Sequence, residues 1–235
     1  MDKPKILVII PAYNEEKSIH TVIRKLKLHS DIDILVVDDG SVDMTFKKAA
    51  LEGVKVVRLP FNLGIGGAMQ TGYMYARDNG YDIAIQVDAD GQHDPVYLNE
   101  LIKPLTEKKC DMVIGSRYVA QTAYKSPISR RAGMIFFSWL VHLLTGNTIK
   151  DTTSGFRAVN RGIIEYFAEN YPTDYPEVDV LVRLHKKSFK MCEIPVEMKE
   201  RQGGKSSITP LKSLYYMIKV SLALFINSLR SGDMV

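Results

Sequence analysis

Asp88-Ala89-Asp90 places two carboxylates at the end of an apolar run, with Gln92 just behind them. Carboxylate and amide oxygens are ligands for hard divalent cations, and Mg²⁺ typically takes one or two carboxylates together with substrate phosphates and water. An ion held there would offset the charge of a departing diphosphate. Alone, an Asp-x-Asp sequence is more often a polar turn before a helix, so its meaning depends on what accompanies it. Asp38-Asp39 ends an earlier apolar run. A carboxylate at that point can accept the imide N–H of uracil or guanine, or simply shape the turn at Gly40. Tyr13 can pack on a base, and Glu15 can reach a nucleotide or act as a charge at a helix N-terminus. Gly64-Ile65-Gly66-Gly67 resembles a phosphate cradle at a helix start. It does not complete G-x-G-x-x-G, because residue 69 is Met. Gly203-Gly204-Lys205-Ser206 is not a Walker loop, since Lys199 stands where that loop requires Gly, so a P-loop ATPase is disfavoured.

The elements that must position these residues alternate. Residues 6–10, 34–37, 54–59, 83–87 and 112–114 are short apolar, β-branched runs, which suit strands buried on both faces. Ile19, Val22, Ile23 and Leu26 recur at helical spacing between the first two. A helix containing Met69, Tyr73 and Ala76 follows the glycine-rich loop. Asp94-Pro95 opens another, with Asp as N-cap, Pro at the first position, and Leu98, Leu101, Ile102 and Leu105 on its buried face. Strands separated by helices predict an α/β fold around a mostly parallel sheet. In such sheets ligands bind outside the carboxyl ends of the strands. Those ends carry residues 11–15, Asp38-Asp39, Asp88 to Asp90 and Arg117, so polar groups converge on one edge. The second half is less regular: an apolar helix over 132–144, a polar turn at 151–157, a helix over 178–185, a strand over 192–197, a polar loop at 202–207 and a long helix from Pro210.

The composition, 46% hydrophobic and 25% charged over 235 residues, is that of an ordinary globular chain able to bury a sizeable core. A formal charge of +4 suits phosphates or an anionic membrane and does not argue for nucleic acid, which is not expected as a partner. The two cysteines, Cys110 and Cys192, are far apart in sequence, so no disulfide scaffold is expected and a reducing cytosol fits. The N-terminus does not read as a signal peptide, and no apolar run reaches the length needed to span a bilayer.

In order, PAYNE, DDGS, N-x-G-x-G-G-A, DADGQ, GSR, D-x-x-SGFRA and R-x-x-G-K-S resemble the inverting family 2 glycosyltransferases of GT-A fold. Within them they resemble the dolichyl- or polyprenyl-phosphate sugar synthases, the dolichyl-phosphate mannosyltransferase-like branch. The resemblance covers about residues 5–207. It implies a Rossmann-like sheet flanked by helices and transfer of a sugar from a UDP- or GDP-linked donor to a polyprenyl phosphate. Pro11, Tyr13, Glu15, Asp38 and Asp39 would hold the nucleoside, with Gly66 and Ala89 lining the donor site. Asp88, Asp90 and Gln92 would surround Mg²⁺ or Mn²⁺ and the diphosphate, and Arg201 and Lys205 would close over it. Arg117 with Arg130 or Arg131 would bind the acceptor phosphate, while Asp151, Ser154 and Arg157 shape that side. An acceptor phosphate oxygen would attack the anomeric carbon opposite the leaving group, with inversion. Because a phosphate is already ionised, positioning and leaving-group stabilisation would dominate. Asp151 or Asp179 could orient the acceptor.

Such an acceptor requires contact with a bilayer. On the final helix, from Pro210, Lys212, Lys219, Asn227 and Arg230 fall on one narrow face and the rest is mostly apolar, which suits an interfacial helix or a helix packed on a membrane partner. Lys219 can snorkel. The organisation expected is a catalytic unit over 1–207 and an amphipathic segment over 208–235, peripheral to the cytoplasmic face of the membrane. A small membrane protein or a homo-oligomer would complete it. Transfer to a saccharide hydroxyl is the alternative within the same fold. A nucleotidyltransferase would carry a basic Gly-rich loop after the first strand, where PAYNEE stands. The filled acidic positions argue against a non-catalytic scaffold.

Overall fold

The computed structural model describes residues 3–119, 128–173 and 176–199, with side chains from residue 133 onward in the helix that opens the second of these stretches. Its elements are β1 (Ile6–Ala12), α1 (Ile19–Leu26), β2 (Asp33–Asp38), α2 (Thr45–Leu51), β3 (Lys55–Arg58), α3 (Gly64–Asp78), β4 (Ile83–Gln86), α4 (Leu98–Thr106), β5 (Met112–Ser116), α5 (Ile128–Thr145), β6 (Arg157–Asn160), α6 (Arg161–Asn170), α7 (Pro176–Lys186) and β7 (Met191–Pro195). The strands form one seven-stranded sheet in the order β3-β2-β1-β4-β6-β5-β7. All neighbours are parallel except β6, which is antiparallel to both β4 and β5. This is the mostly parallel α/β sheet that the alternation predicts.

Helices cover both faces. One core packs Leu7, Ile9 and Leu35 against Met69, Tyr73, Phe137, Phe167 and Leu181. The other packs Val8, Ile10 and Val36 against Ile19, Ile23, Leu98 and Leu101. Alternate residues of β1 thus serve opposite cores, and all seven are buried. A fully buried Leu or Ile contributes about 1.5–3 kcal/mol. Gly72 brings α3 onto the sheet, since a Cβ there would lie 2.4 Å from Ile9 Cγ2.

The sheet opens between β1 and β4. Their pairing ends at Ile9–Gln86, while β1 remains paired with β2 as far as Ala12–Asp38. The carbonyl of Ile9 accepts from Val87, so alternate residues from Ile9 face β4. Pro11, two residues on, has no N–H to offer on that side, just where the strands part. The crevice lies at the point where the strand order reverses, where ligands bind in open α/β sheets.

Three elements escaped the sequence reading. Strand β6 has only four residues, too few to show a period, and begins with a buried Arg157. Helix α6 follows it directly, with the Asn160 side chain capping Ile163 N–H. Helix α2 buries only Thr45 and Ala49. The glycine-rich segment also differs from expectation: Gly64 to Gly67 form the first turn of α3, not a loop ahead of it. Cys110 and Cys192 are another correction. The parallel pairing of β5 with β7 brings them together, Cα atoms 6.2 Å apart, and they are joined as one disulfide.

Candidate active site

The loops after β1 and β2 are tied together. Asn14, in the left-handed region at φ 55°, accepts from Val42 N–H through its side chain, and its own N–H donates to Ser41 Oγ. Asn tolerates that conformation better than bulkier residues. Glu15 N–H donates to Thr45 Oγ1, and the Glu15 carboxylate accepts from Ser18 Oγ at 2.9 Å, at the start of α1. Glu15 therefore braces the loop, whereas Tyr13 stands 47% exposed at the crevice.

The two acidic residues after β2 have different tasks. Asp39 accepts from the N–H groups of Leu63 and Gly64, at 2.7 and 2.9 Å. It thereby satisfies the start of α3, the kind of donor a phosphate would otherwise take. Burial pushes the Asp39 carboxyl above its usual range; these two bonds oppose the shift and neighbouring Asp38 adds to it. Gly66 is explained by packing: a Cβ there would lie 2.4 and 2.5 Å from the carbonyl oxygens of Thr173 and Pro172. Asp39 and Gly66, both expected at the donor site, thus also have structural tasks in the fold. Asp38 is fully buried, and neither carboxylate oxygen accepts a hydrogen bond. Arg58 Nε lies 3.2 Å from Oδ2, close enough for ion pairing but not aligned as a hydrogen bond. An open cavity of about 620 Å³ beside it is lined by Gly40, Ser41, Val42, Arg58, Leu59 and Pro60. Buried acceptors are normally satisfied, so the Asp38 carboxylate stands out, answered by the Arg58 ion pair and by no hydrogen bond.

The turn after β4 carries the metal-type residues. Ala89 is buried beneath it. Asp90 is buried and accepts from Gln92 N–H at 3.0 Å. Asp88 keeps 37% of its side chain exposed. Gln86 Nε2 donates to Asp88 Oδ1 at 3.1 Å, and His93 Nε2 lies 3.6 Å from Oδ2. Gln92 donates through its amide nitrogen to Lys199 O, which leaves the amide oxygen, the atom a hard cation takes, outside that bond. Among the described residues no three His, Cys, Asp or Glu side chains converge as a metal cage. Two carboxylates and one amide oxygen fit an ion that completes its shell from a diphosphate and water. Lys199 also pairs with Asp94 at 2.5 Å, which fixes the chain beside this turn just before Arg201.

On the acceptor side the expected residues are tied into the fold. Arg117 makes a two-pronged pair with Asp151, Nε to Oδ2 and Nη2 to Oδ1, both 2.7 Å, and its N–H also reaches Oδ2. Asp151 is 0% exposed with both oxygens engaged, an arrangement that holds the Arg117 guanidinium in place. Ser154 Oγ donates to Gly115 O at 2.6 Å. Arg157 is 3% exposed and donates to the carbonyls of Thr152 and Glu177. Ser154 and Arg157 therefore knit the 151–157 turn to β5 and α7. Asp179 is likewise paired, with Arg183 at 2.8 Å. Arg201, Lys205 and the amphipathic segment lie outside the described residues, as do the side chains of Arg130 and Arg131. Sequence reasoning missed Gln86, Arg58 and His93. The first two sit in strands that read as plain β structure, whereas His93, directly after Gln92, was open to notice.

Residues 7–167 match the family model described as glycosyl transferase family 2. The chain is a family 2 glycosyltransferase. It is 33% identical over 212 residues to a UDP-N-acetylglucosamine–dolichyl-phosphate N-acetylglucosaminyltransferase of Methanococcus voltae, covering 82% of this chain and 84% of that one. It is 30% identical over 229 residues to a polyprenol monophosphomannose synthase of Mycolicibacterium smegmatis, covering 92% and 86%. In fold this glycosyltransferase resembles a glucosyl-3-phosphoglycerate synthase from Mycobacterium tuberculosis, solved with Mn²⁺, UDP and phosphoglyceric acid. The TM-score is 0.74 at 20% identity, over 98% of this chain and 80% of that one.

Proposed function

We propose that this enzyme transfers a sugar from a UDP- or GDP-linked donor to a polyprenyl phosphate, with inversion at the anomeric carbon. The observation that carries this reading is that relatives named for dolichyl or polyprenol acceptors match along more than four fifths of the chain. Pro11, Tyr13, Glu15, Asp38 and Asp39 hold the nucleoside, with a carboxylate of the Asp38-Asp39 pair accepting the base imide N–H and Tyr13 packing on the base. Asp88, Asp90 and Gln92 hold Mg²⁺ or Mn²⁺ with the diphosphate, and such an ion offsets the charge of the leaving group. Arg201 and Lys205 close over the diphosphate, and Arg130 and Arg131 bind the acceptor phosphate beside Arg117. One acceptor oxygen then forms the bond to the anomeric carbon as the bond to the diphosphate breaks.

The pairing of Asp151 supports an acceptor that is already ionised. Both of its oxygens are engaged by Arg117, whereas a saccharide hydroxyl would call for a general base. A membrane-side placement is supported by α5. It buries Met134, Phe137 and Val141 and exposes Ile135, Trp139 and Leu143, one turn apart along one face. Among the described residues no helix is long and apolar enough to cross a membrane. The catalytic unit spans 1–207 and the segment 208–235 rests on the cytoplasmic face of the bilayer.

The test is incubation with polyprenyl phosphate, Mn²⁺ or Mg²⁺, and a panel of UDP-, GDP- and dTDP-sugars. Lipid-phosphate-linked sugar is the expected product. Transfer only to a saccharide hydroxyl would refute the acceptor assignment.

A further inference from the structure

His93 lies between the Asp88 turn and the 151–157 turn, and both of its ring nitrogens face the same residue. The Asp88 N–H donates to Nδ1 at 3.0 Å. Nδ1 must therefore be bare, and the ring hydrogen sits on Nε2, the nitrogen 3.6 Å from Asp88 Oδ2. At that distance the contact orients by electrostatics more than by a full hydrogen bond. The ring is fixed from behind: Phe156 stacks on it with centroids 4.7 Å apart and planes 10° from parallel. Both side chains are buried, at 6% and 1% exposure. On the other side Gln86 donates to Asp88 Oδ1. Gly155 closes the cage, since a Cβ there would lie 3.0 and 3.2 Å from the two Asp88 carboxylate oxygens and 2.9 Å from Gln86 Nε2.

We propose that His93, backed by Phe156 and Gly155, is a positioning residue that fixes the Asp88 carboxylate for the cation–diphosphate group, making the Ser154-Gly155-Phe156 turn a support for the donor site. This rests on the reading of Asp88 as a ligand of that group. Groups that hydrogen-bond metal-ligating carboxylates typically account for about 10–100-fold in metal affinity when removed. The proposal gives separate functions to the two ring nitrogens. An Asn at 93 can reproduce the Nδ1 acceptor for the Asp88 N–H, and a Gln can reproduce the Nε2 donor toward the carboxylate.

The experiment measures Mn²⁺ binding to the full chain by loss of the free-ion EPR signal, with UDP or GDP present, beside nucleotide affinity without metal. His93→Gln is expected to stay within about threefold of wild type for Mn²⁺, and His93→Asn to lose about tenfold or more. Metal-free nucleotide affinity should be unchanged in both. A purely structural histidine predicts the reverse order. Wild-type Mn²⁺ affinity in His93→Asn, or equal losses in both variants with weakened metal-free nucleotide binding, overturns the proposal. Should the variants not fold, ¹⁵N NMR of the imidazole in the unaltered protein decides: the Nε2–H tautomer is expected, and the Nδ1–H tautomer overturns it. If Asp88→Asn abolishes Mn²⁺ binding while His93→Asn does not, only this proposal fails. If wild type binds no Mn²⁺ with any nucleotide, the site reading fails and takes this one with it.

Discussion

Replacing Asp151 by Ala separates a supporting role from a catalytic one. Asp151 is 0% exposed and accepts three hydrogen bonds from Arg117, whose side chain is itself only 9% exposed. Removing one partner of a buried ion pair leaves the other charge uncompensated, at a cost of about 3–5 kcal/mol. For a domain of this size each kcal/mol lowers Tm by roughly 2–4 °C, so Asp151→Ala should melt about 6–20 °C below wild type. Replacing both partners by apolar residues of similar volume, Arg117→Met with Asp151→Leu, should recover most of that loss, because no charge is then stranded. Urea and thermal melts at pH 7, with kcat per folded molecule measured well below the variant's Tm, give both readouts. A general base would give the opposite pattern: an unchanged Tm with kcat reduced about 10²–10⁴-fold. That result would refute the assignment of Asp151 as a support.

Asp90→Ala should abolish turnover, and near-normal activity in that variant would exclude the metal assignment. Asp38→Asn should weaken UDP or GDP binding about 10- to 150-fold, the worth of a hydrogen bond to a charged group, when measured by calorimetry; an unchanged affinity would remove Asp38 from base recognition. Gly66→Ala should destabilise by about 1–3 kcal/mol through its clash with the 172–173 backbone, with nucleotide affinity unaltered at a permissive temperature. A phosphate cradle would instead lose nucleotide affinity. Asp43 is a pH probe. Burial alone would raise its carboxyl, but bonds from the Thr45 hydroxyl and from the N–H groups of Thr45 and Glu16 outweigh that and hold it below its usual range. A depressed folded value stabilises above the unfolded pKa of about 3.9 and loses that contribution as pH falls through the folded one. Asp43→Asn should therefore cost about 1 kcal/mol at pH 7 and progressively less below about pH 4. A gap that widens on acidification would contradict the sign.

The sequence by itself determined the alternating architecture, because β-branched runs and helical spacing are local signals. It also set the order of the motifs along the chain, which identified the family. It did not determine what surrounds each carboxylate. Asp38 and Asp39 are adjacent and chemically identical, and only the approach of α3 commits Asp39 to Leu63 and Gly64 while Asp38 keeps no hydrogen-bond partner. The same holds for Arg117, Asp151, Ser154 and Arg157. Their types suit phosphate binding, yet only the fold pairs Arg117 with Asp151 and ties Ser154 and Arg157 to backbone carbonyls. Strand β6 was illegible for a related reason: four residues carry no period, and their place between β4 and β5 depends on two antiparallel neighbours distant in sequence. A carboxylate's role depends on which donors surround it, and those donors come from segments that only the folded chain makes adjacent. Asp88 keeps its place at the crevice in both accounts; the tertiary structure adds Gln86, His93 and Gly155 around it.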